Sequence, residues 1–234
     1  MDMLWAHLIK VQPDPDPWVV LVSALAALAV VAFRTPWQVS RGLITIAHEG
    51  GHAVMALLTR RKLEGIRLHS DTSGVTLTRG RPNGPGMVLT ALAGYLAPSL
   101  LGLAAAWLTE QGRITLLIWG VLLFLVCMLL LIRNLYGALI LLVTGGAVFA
   151  LSMYAPAEVQ QIVAMVATWF LLFGGVRPIV ELQRKRRRRQ ARDSDADQLA
   201  RLTFLPGGFY VFFFLLVAAV SVVFGAYLMN PLAP

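Results

Sequence analysis

The chain is poor in charge and almost free of cysteine, and it has few acidic residues. Asp, Glu, Lys and Arg make up 14% of its 234 residues, where an average globular chain has about a quarter. A soluble enzyme and a disordered tail are both excluded by that deficit, because most charges fall between long apolar runs. The single Cys127 lies inside such a run. It leaves no intrachain disulfide, excludes a disulfide scaffold and implies no redox compartment. Twelve acidic residues against twenty basic ones give a net charge of +8. That charge invites a nucleic-acid reading, which its distribution argues against.

What the chain does have is apolar length, with 58% hydrophobic residues. Apolar windows fall at 18–33, 39–58, 86–108, 114–132, 136–153, 159–176 and 209–229. Most approach the ~20 residues a helix needs to cross a bilayer. The first is short and the second is interrupted by polar residues. The expected fold class is therefore an all-α polytopic membrane protein of about seven transmembrane helices, or six. The first run is expected to be a span and not a cleavable signal, since Asp2, Asp14 and Asp16 sit where a basic flank should be. No internal repeat is visible, so 1–234 reads as one membrane-embedded domain.

Lys and Arg placement sets the expected orientation. With the N-terminus in the cytoplasm and the C-terminus outside, seventeen of the twenty basic residues lie inside, leaving Arg34, Arg41 and Arg113 outside. The tight Arg133-Asn134-Leu135 link is the weakest joint of that topology. Two connectors are long. In 59–85, Leu63–Leu68 and Val75–Thr78 flank the turn-rich His69-Ser70-Asp71-Thr72-Ser73-Gly74, which predicts a small β-hairpin at the cytoplasmic membrane face. In 177–206, a basic loop is expected to precede a short helix.

His48-Glu49-Gly50-Gly51-His52 is the one segment that names a chemistry. Charged groups within a span are costly and are functional hypotheses by default. Residues four apart share a helix face, so both imidazoles can converge on one ion. Glu49 then serves as general base toward water activated by the metal, and zinc suits two neutral nitrogens, a carboxylate and an open position. The competing reading is a polar seam in which the histidines bond neighbouring helices. If the helix meets the surface near Leu58, His52 and His48 lie roughly 9 to 15 Å deep at ~1.5 Å per residue, so a hydrated cavity is required. Gly50 and Gly51 would permit close approach of another backbone.

The order of span, H-E-x-x-H, basic residues and short hairpin resembles the site-2 protease family of intramembrane zinc metallopeptidases. It is most similar to the minimal, actinobacterial-type branch, through His48-Glu49-Gly50-Gly51-His52-Ala53, Ala93-Gly94-Tyr95-Leu96, Arg133-Asn134 and Ser194-Asp195-Ala196-Asp197. The resemblance implies one zinc ion, a bacterial plasma membrane, and cleavage of a peptide bond in or beside a transmembrane helix of a membrane-protein substrate. A non-catalytic metal-binding scaffold, or pseudoprotease, is the alternative. The chain lacks the N-x-x-P…L-D-G pattern that supplies the third ligand in better-known members, and it has no PDZ-like insert. Among the twelve acidic residues, position along the chain leaves Asp195 and Asp197 as candidates for that ligand. The resemblance, which carries Ser-Asp-Ala, favours Asp195, with Asp197 second. Helix capping by Ser194 or Asp195 is the bland alternative. Asn134 is a candidate oxyanion donor or substrate contact, and otherwise caps a helix or bonds across helices.

The run Arg184-Lys185-Arg186-Arg187-Arg188-Arg189 has no aromatic interleaving. It is read as a topology signal with attraction for anionic lipids and not as a nucleic-acid patch. Gly145-Gly146 and Gly174-Gly175 are expected to allow close helix packing. The aromatics Phe209, Tyr210, Phe212, Phe213 and Phe214 are expected to face lipid or the interface.

Overall fold

The computed structural model describes residues 11–190 and 193–230. Asp2, Lys10 and Arg192, which entered the charge and ligand arguments, lie outside them. The elements in chain order are α1 (Pro17–Ala32), α2 (Arg34–Leu58), β1 (Lys62–Leu68), β2 (Gly74–Arg79), α3 (Pro85–Glu110), α4 (Ile114–Leu131), α5 (Leu135–Tyr154), α6 (Ala157–Arg187), α7 (Asp195–Leu202) and α8 (Gly207–Leu228).

Seven independent crossings are not what forms. Helices α3, α4, α5, α6 and α8 are each long and apolar enough to cross a bilayer, whereas α1 and α2 qualify only together and are bent by 99° where they meet. Counted as one broken span, the pair brings the number to six. The bend has a local cause. Pro36 has no amide to return to the carbonyl four residues earlier, and its ring would clash with that carbonyl, so α1 cannot run on; in the first turn of α2 the same proline is tolerated. Phe33 takes up the break in extended conformation. Arg177 of α6 pins the bend through the carbonyl of Val31.

The ends of the chain are also placed otherwise than expected. The amide of Gln12 donates to the Gly112 carbonyl at 2.9 Å, and Gln161 donates to the Pro13 carbonyl at 2.8 Å. Asp14 and Pro17 share one cavity with Glu110, Tyr227 and Asn230. Both described ends therefore lie at the end of the bundle that carries the α3–α4 turn, not at opposite ends. At the other end Thr59 meets Gly86. Counting α1 and α2 as a single broken span changes the parity of the crossings, and Lys10 is the one basic residue on the N-terminal side of that pair.

The hairpin forms with antiparallel pairing of Ile66 with Thr76 and Arg67 with Val75, and a register irregularity between Leu63 and Gly65. It is not a surface decoration. Ile66 and Leu68 are fully buried in a core with Ile46, Ala53, Met128 and Leu141. The turn carbonyl of Thr72 accepts from Thr45 Oγ1 at 2.7 Å. Thr45 is thirteen residues from the Leu58 end of α2, so the turn reaches about 20 Å along that helix, past the His48 level.

Backbone at such depth must be satisfied within the protein, and the tight α4–α5 link does this for β1. Ile132 bridges Ile66 in parallel, and the amide of Arg133 donates to the Ile66 carbonyl at 2.8 Å. Asn134 presents its carboxamide as a mock peptide group. Leu68 N–H donates to its Oδ1 at 3.1 Å, and its Nδ2 donates to the Leu68 carbonyl at 2.7 Å. Among the described residues, β2 has no strand on its other side.

Three further expectations change. The basic run is not a loop as far as Arg187, because α6 stays helical to that residue. Gly174 and Gly175 do admit neighbours, Ile44 and Ser99, whereas Gly145 and Gly146 face open space. Of the five aromatics near the start of α8, Tyr210 and Phe214 are core residues while Phe209 and Phe212 are exposed.

Candidate metal centre and active site

Helix α2 is buried along the stripe Ile44, Ala47, Glu49, His52, Ala53 and Ala56, which packs against α3 and the hairpin. Close contact with α3 depends on a missing side chain. A Cβ on Gly51 would stand 2.4 Å from Ala97 Cβ and 2.6 Å from the Ala93 carbonyl oxygen. The backbones thus meet where the imidazoles emerge. The two rings lie edge to face with centroids 4.7 Å apart, as residues one helical turn apart on one face should.

Asp195 comes to them from a site 143 residues further along the chain. Its Oδ2 is 3.3 Å from His48 Nε2 and 3.3 Å from His52 Nε2, and the two Nε2 atoms are 3.2 Å apart. The three atoms form a nearly equilateral triangle. Three corners of a tetrahedron around a zinc ion about 2.0–2.1 Å from each donor would be separated by about 3.3–3.4 Å. The donor set therefore fits the ion in both chemistry and spacing. Among the described residues this is the one trio of His, Cys, Asp and Glu side chains that gathers so.

Neighbouring groups aim each donor. His52 Nδ1 is 2.7 Å from the Thr90 carbonyl oxygen. A carbonyl can only accept, so Nδ1 carries the proton and Nε2 offers its lone pair to the triangle. His48 rests edge-on against Tyr95, centroids 4.8 Å apart, and Tyr95 stacks on Phe214 at 5.2 Å. The buried aromatic of α8 thus backs the metal face, a role that composition alone could not reveal.

Asp197 is engaged elsewhere. It forms an ion pair with Arg186, and its Oδ2 accepts from Ser194 Oγ at 2.6 Å. The amide of Asp197 in turn donates to Ser194 Oγ at 3.3 Å, so Ser194 is the N-cap of α7. Asp195 and Asp197 were the two candidates for one role; the fold brings the first to the imidazoles and uses the second to fasten α7. Asn134 is likewise bound to Leu68, where it holds the hairpin.

Two residues that sequence reasoning did not connect with Glu49 meet its carboxylate. Thr76 Oγ1 donates to Glu49 Oε2 at 2.6 Å and lies 3.2 Å from the Glu49 carbonyl. Gly74 packs so closely that a Cβ there would be 2.6 Å from Glu49 Oε1. Glu49 thus lies beneath β2. The alternating pattern of the hairpin gave no hint, because the contact joins residues 27 apart on different elements.

Gly94 constrains the metal face directly. A Cβ on it would lie 2.3 Å from His52 Nε2 and 2.8 Å from His48 Cε1. Gly94→Ala is therefore expected to push the imidazoles apart and reduce bound zinc to less than about a tenth of wild type, given that even outer partners of a metal site are worth about 10–100-fold. Metal analysis of the purified variant, beside Ala93→Gly as a packing control, checks this.

A family description, peptidase M50B-like, matches residues 21–225. No curated protein and no solved structure matches the chain. The matched segment runs from α1 to α8 and contains the triangle, Glu49 and the hairpin, and on that coverage the chain belongs to the peptidase M50B-like family.

Proposed function

We propose that this membrane metalloprotease is a site-2-type zinc endopeptidase that hydrolyses a peptide bond in or beside a transmembrane helix of another protein. The observation that carries the reading is the triangle of His48, His52 and Asp195 with Glu49 next to it under an unpaired strand edge. A zinc ion held by the three donors would polarise a water molecule and the scissile carbonyl. Glu49 accepts the proton of the attacking water and returns it to the leaving amine. Thr76 holds Oε2 of that carboxylate, which leaves Oε1 for the proton.

A helical substrate must unwind before its amide is accessible, because its backbone groups are internally bonded. Strand β2 offers it a replacement partner. On β1, Ile66 and Leu68 direct their backbone groups to the α4–α5 link. By antiparallel alternation Arg67 and Val75 then bond each other, and Gly74, Thr76 and Thr78 of β2 point theirs outward. Thr78→Pro removes one outward amide and leaves the interstrand bonds intact. It is expected to lower kcat/KM at least tenfold with zinc content unchanged, and cleavage at the wild-type rate would remove the clamp.

The basic residues Arg60, Arg61, Lys62, Arg79, Arg81, Arg133 and the Arg184–Arg189 run gather at the end of the bundle opposite the α3–α4 turn, where Arg113 lies. We place the basic end in the cytoplasm of a bacterial plasma membrane, against anionic lipids, and both described ends of the chain outside.

The reading is tested by reconstituting the protein in liposomes with a panel of single-span proteins and mapping any cut by mass spectrometry. The expected cut lies within a span or a few residues from it, disappears with chelator and returns with zinc. Cleavage confined to unfolded soluble proteins, or indifferent to chelator, would overturn the site-2 assignment.

A further inference from the structure

A second charged group faces the cavity beside His48 and Glu49. Arg41 lies on α2 seven residues before His48, about 10 Å along the helix. It lines a cavity of about 170 Å³ together with His48, Glu49, Ser73 and Tyr95. Beside it Glu181 sits between two arginines. Its Oε1 accepts from Trp37 Nε1 at 3.0 Å and from Arg177 Nε at 3.1 Å. Arg177 is further bound to the Val31 carbonyl and lies over the Trp37 ring at 4.9 Å. Arg41 reaches only the other oxygen, Oε2, at 3.7 Å, with a third of its side chain exposed, and stands 6.0 Å from the Trp37 ring centroid.

Two guanidiniums against one carboxylate leave a net positive charge at this end of the cavity. A guanidinium does not deprotonate, and it carries five donors in a planar fork suited to carboxylate. Among the described residues none of the five makes a hydrogen bond. Arg177 and Trp37 both bond Oε1 of Glu181 and hold it beside the bend, while Arg41 meets Oε2 only at the long distance of an ion pair. A cation half-satisfied inside a span, in an enzyme's cleft, is costly unless something binds it.

We infer that Arg41 is a specificity determinant, receiving the carboxylate of an aspartate or glutamate side chain of the substrate. Resting on the peptidase reading, this names the substrate class: a membrane protein with an acidic residue two to four positions from the scissile bond. That spacing follows from the ~10 Å between Arg41 and the metal face and the ~3.3 Å rise of an extended chain. A lipid phosphate offers related anion chemistry, and the test separates it.

The test measures binding apart from turnover. Zinc-loaded Glu49→Gln protein in phosphatidylcholine bilayers is titrated with fluorescent apolar peptides. Each carries a single Glu, Gln or Lys, walked from four residues before the central bond to four after it. At one position two to four residues from the centre, Glu is expected to bind at least tenfold tighter than Gln, with Lys weakest. Adding Arg41→Gln should shrink the ratio to less than twofold at equal zinc content, and adding Arg41→Glu should invert it. No gain for Glu at any position overturns the proposal without recourse to an Arg41 variant, and an equal gain in Arg41→Gln overturns it too. A gain abolished in phosphatidylglycerol bilayers assigns Arg41 to lipid phosphate and overturns it likewise. Selective binding of peptides that the wild-type enzyme never cuts would instead count against the peptidase reading and leave the carboxylate site standing.

Discussion

Glu49→Gln is expected to abolish turnover while the protein keeps its zinc. General acid–base groups contribute about 10²–10⁴-fold to rate, and here one carboxylate serves both proton transfers, so a loss of at least about a thousandfold is expected. Zinc should be unaffected, because the three gathered donors are His48, His52 and Asp195. Glutamine keeps the size of the side chain and can still accept from Thr76, so neither the fit beside Gly74 nor the position of β2 needs to change. The same variant separates an enzyme from a metal-binding scaffold. Liposome assays of cleavage beside metal analysis give the answer: full activity in Glu49→Gln would mean that this carboxylate is not the base, and a scaffold's cellular role would survive the change.

Asp195→Ala is expected to have the opposite signature, losing zinc and with it all activity. Two imidazoles alone leave half of a tetrahedral shell to solvent. Outer partners of a metal site are already worth about 10–100-fold in affinity, so removal of a direct donor should weaken binding by more than about a hundredfold. Asp197→Ala should behave differently. It removes the partner of Arg186 and Ser194 but keeps the amide that Ser194 caps, and weakens zinc only through the freedom it gives Asp195. Titration with a competing chelator orders the three proteins as wild type, then Asp197→Ala, then Asp195→Ala. Equal affinity in wild type and Asp195→Ala would remove Asp195 from the metal site.

Much of the site was legible because it is local. The spacing of His48 and His52 is a property of any helix, and the penalty for charge in an apolar run makes an accident there expensive. The hairpin was legible for a similar reason, since a turn-rich segment between two β-prone ones needs no distant partner. Long apolar runs announced the spans. Resemblance put weight on Gly94 and Asp195, although it could not say what either touches.

What stayed hidden depends on groups far apart in sequence. Nothing in Thr76 or Gly74 advertises a contact with Glu49, and Tyr210 and Phe214 read as lipid-facing until α3 and α8 are packed together. Hydropathy windows do not record a 99° bend at Phe33, so the first two apolar runs read as separate crossings. The sequence by itself determined the chemistry on offer: two imidazoles and a carboxylate held on one helix by 3.6-residue periodicity, in a chain too apolar for water. Only the tertiary structure decided which aspartate completes the set, how deep the hairpin lies and which of its edges is free. Those choices rest on backbone satisfaction and close packing between distant elements, which no local pattern encodes.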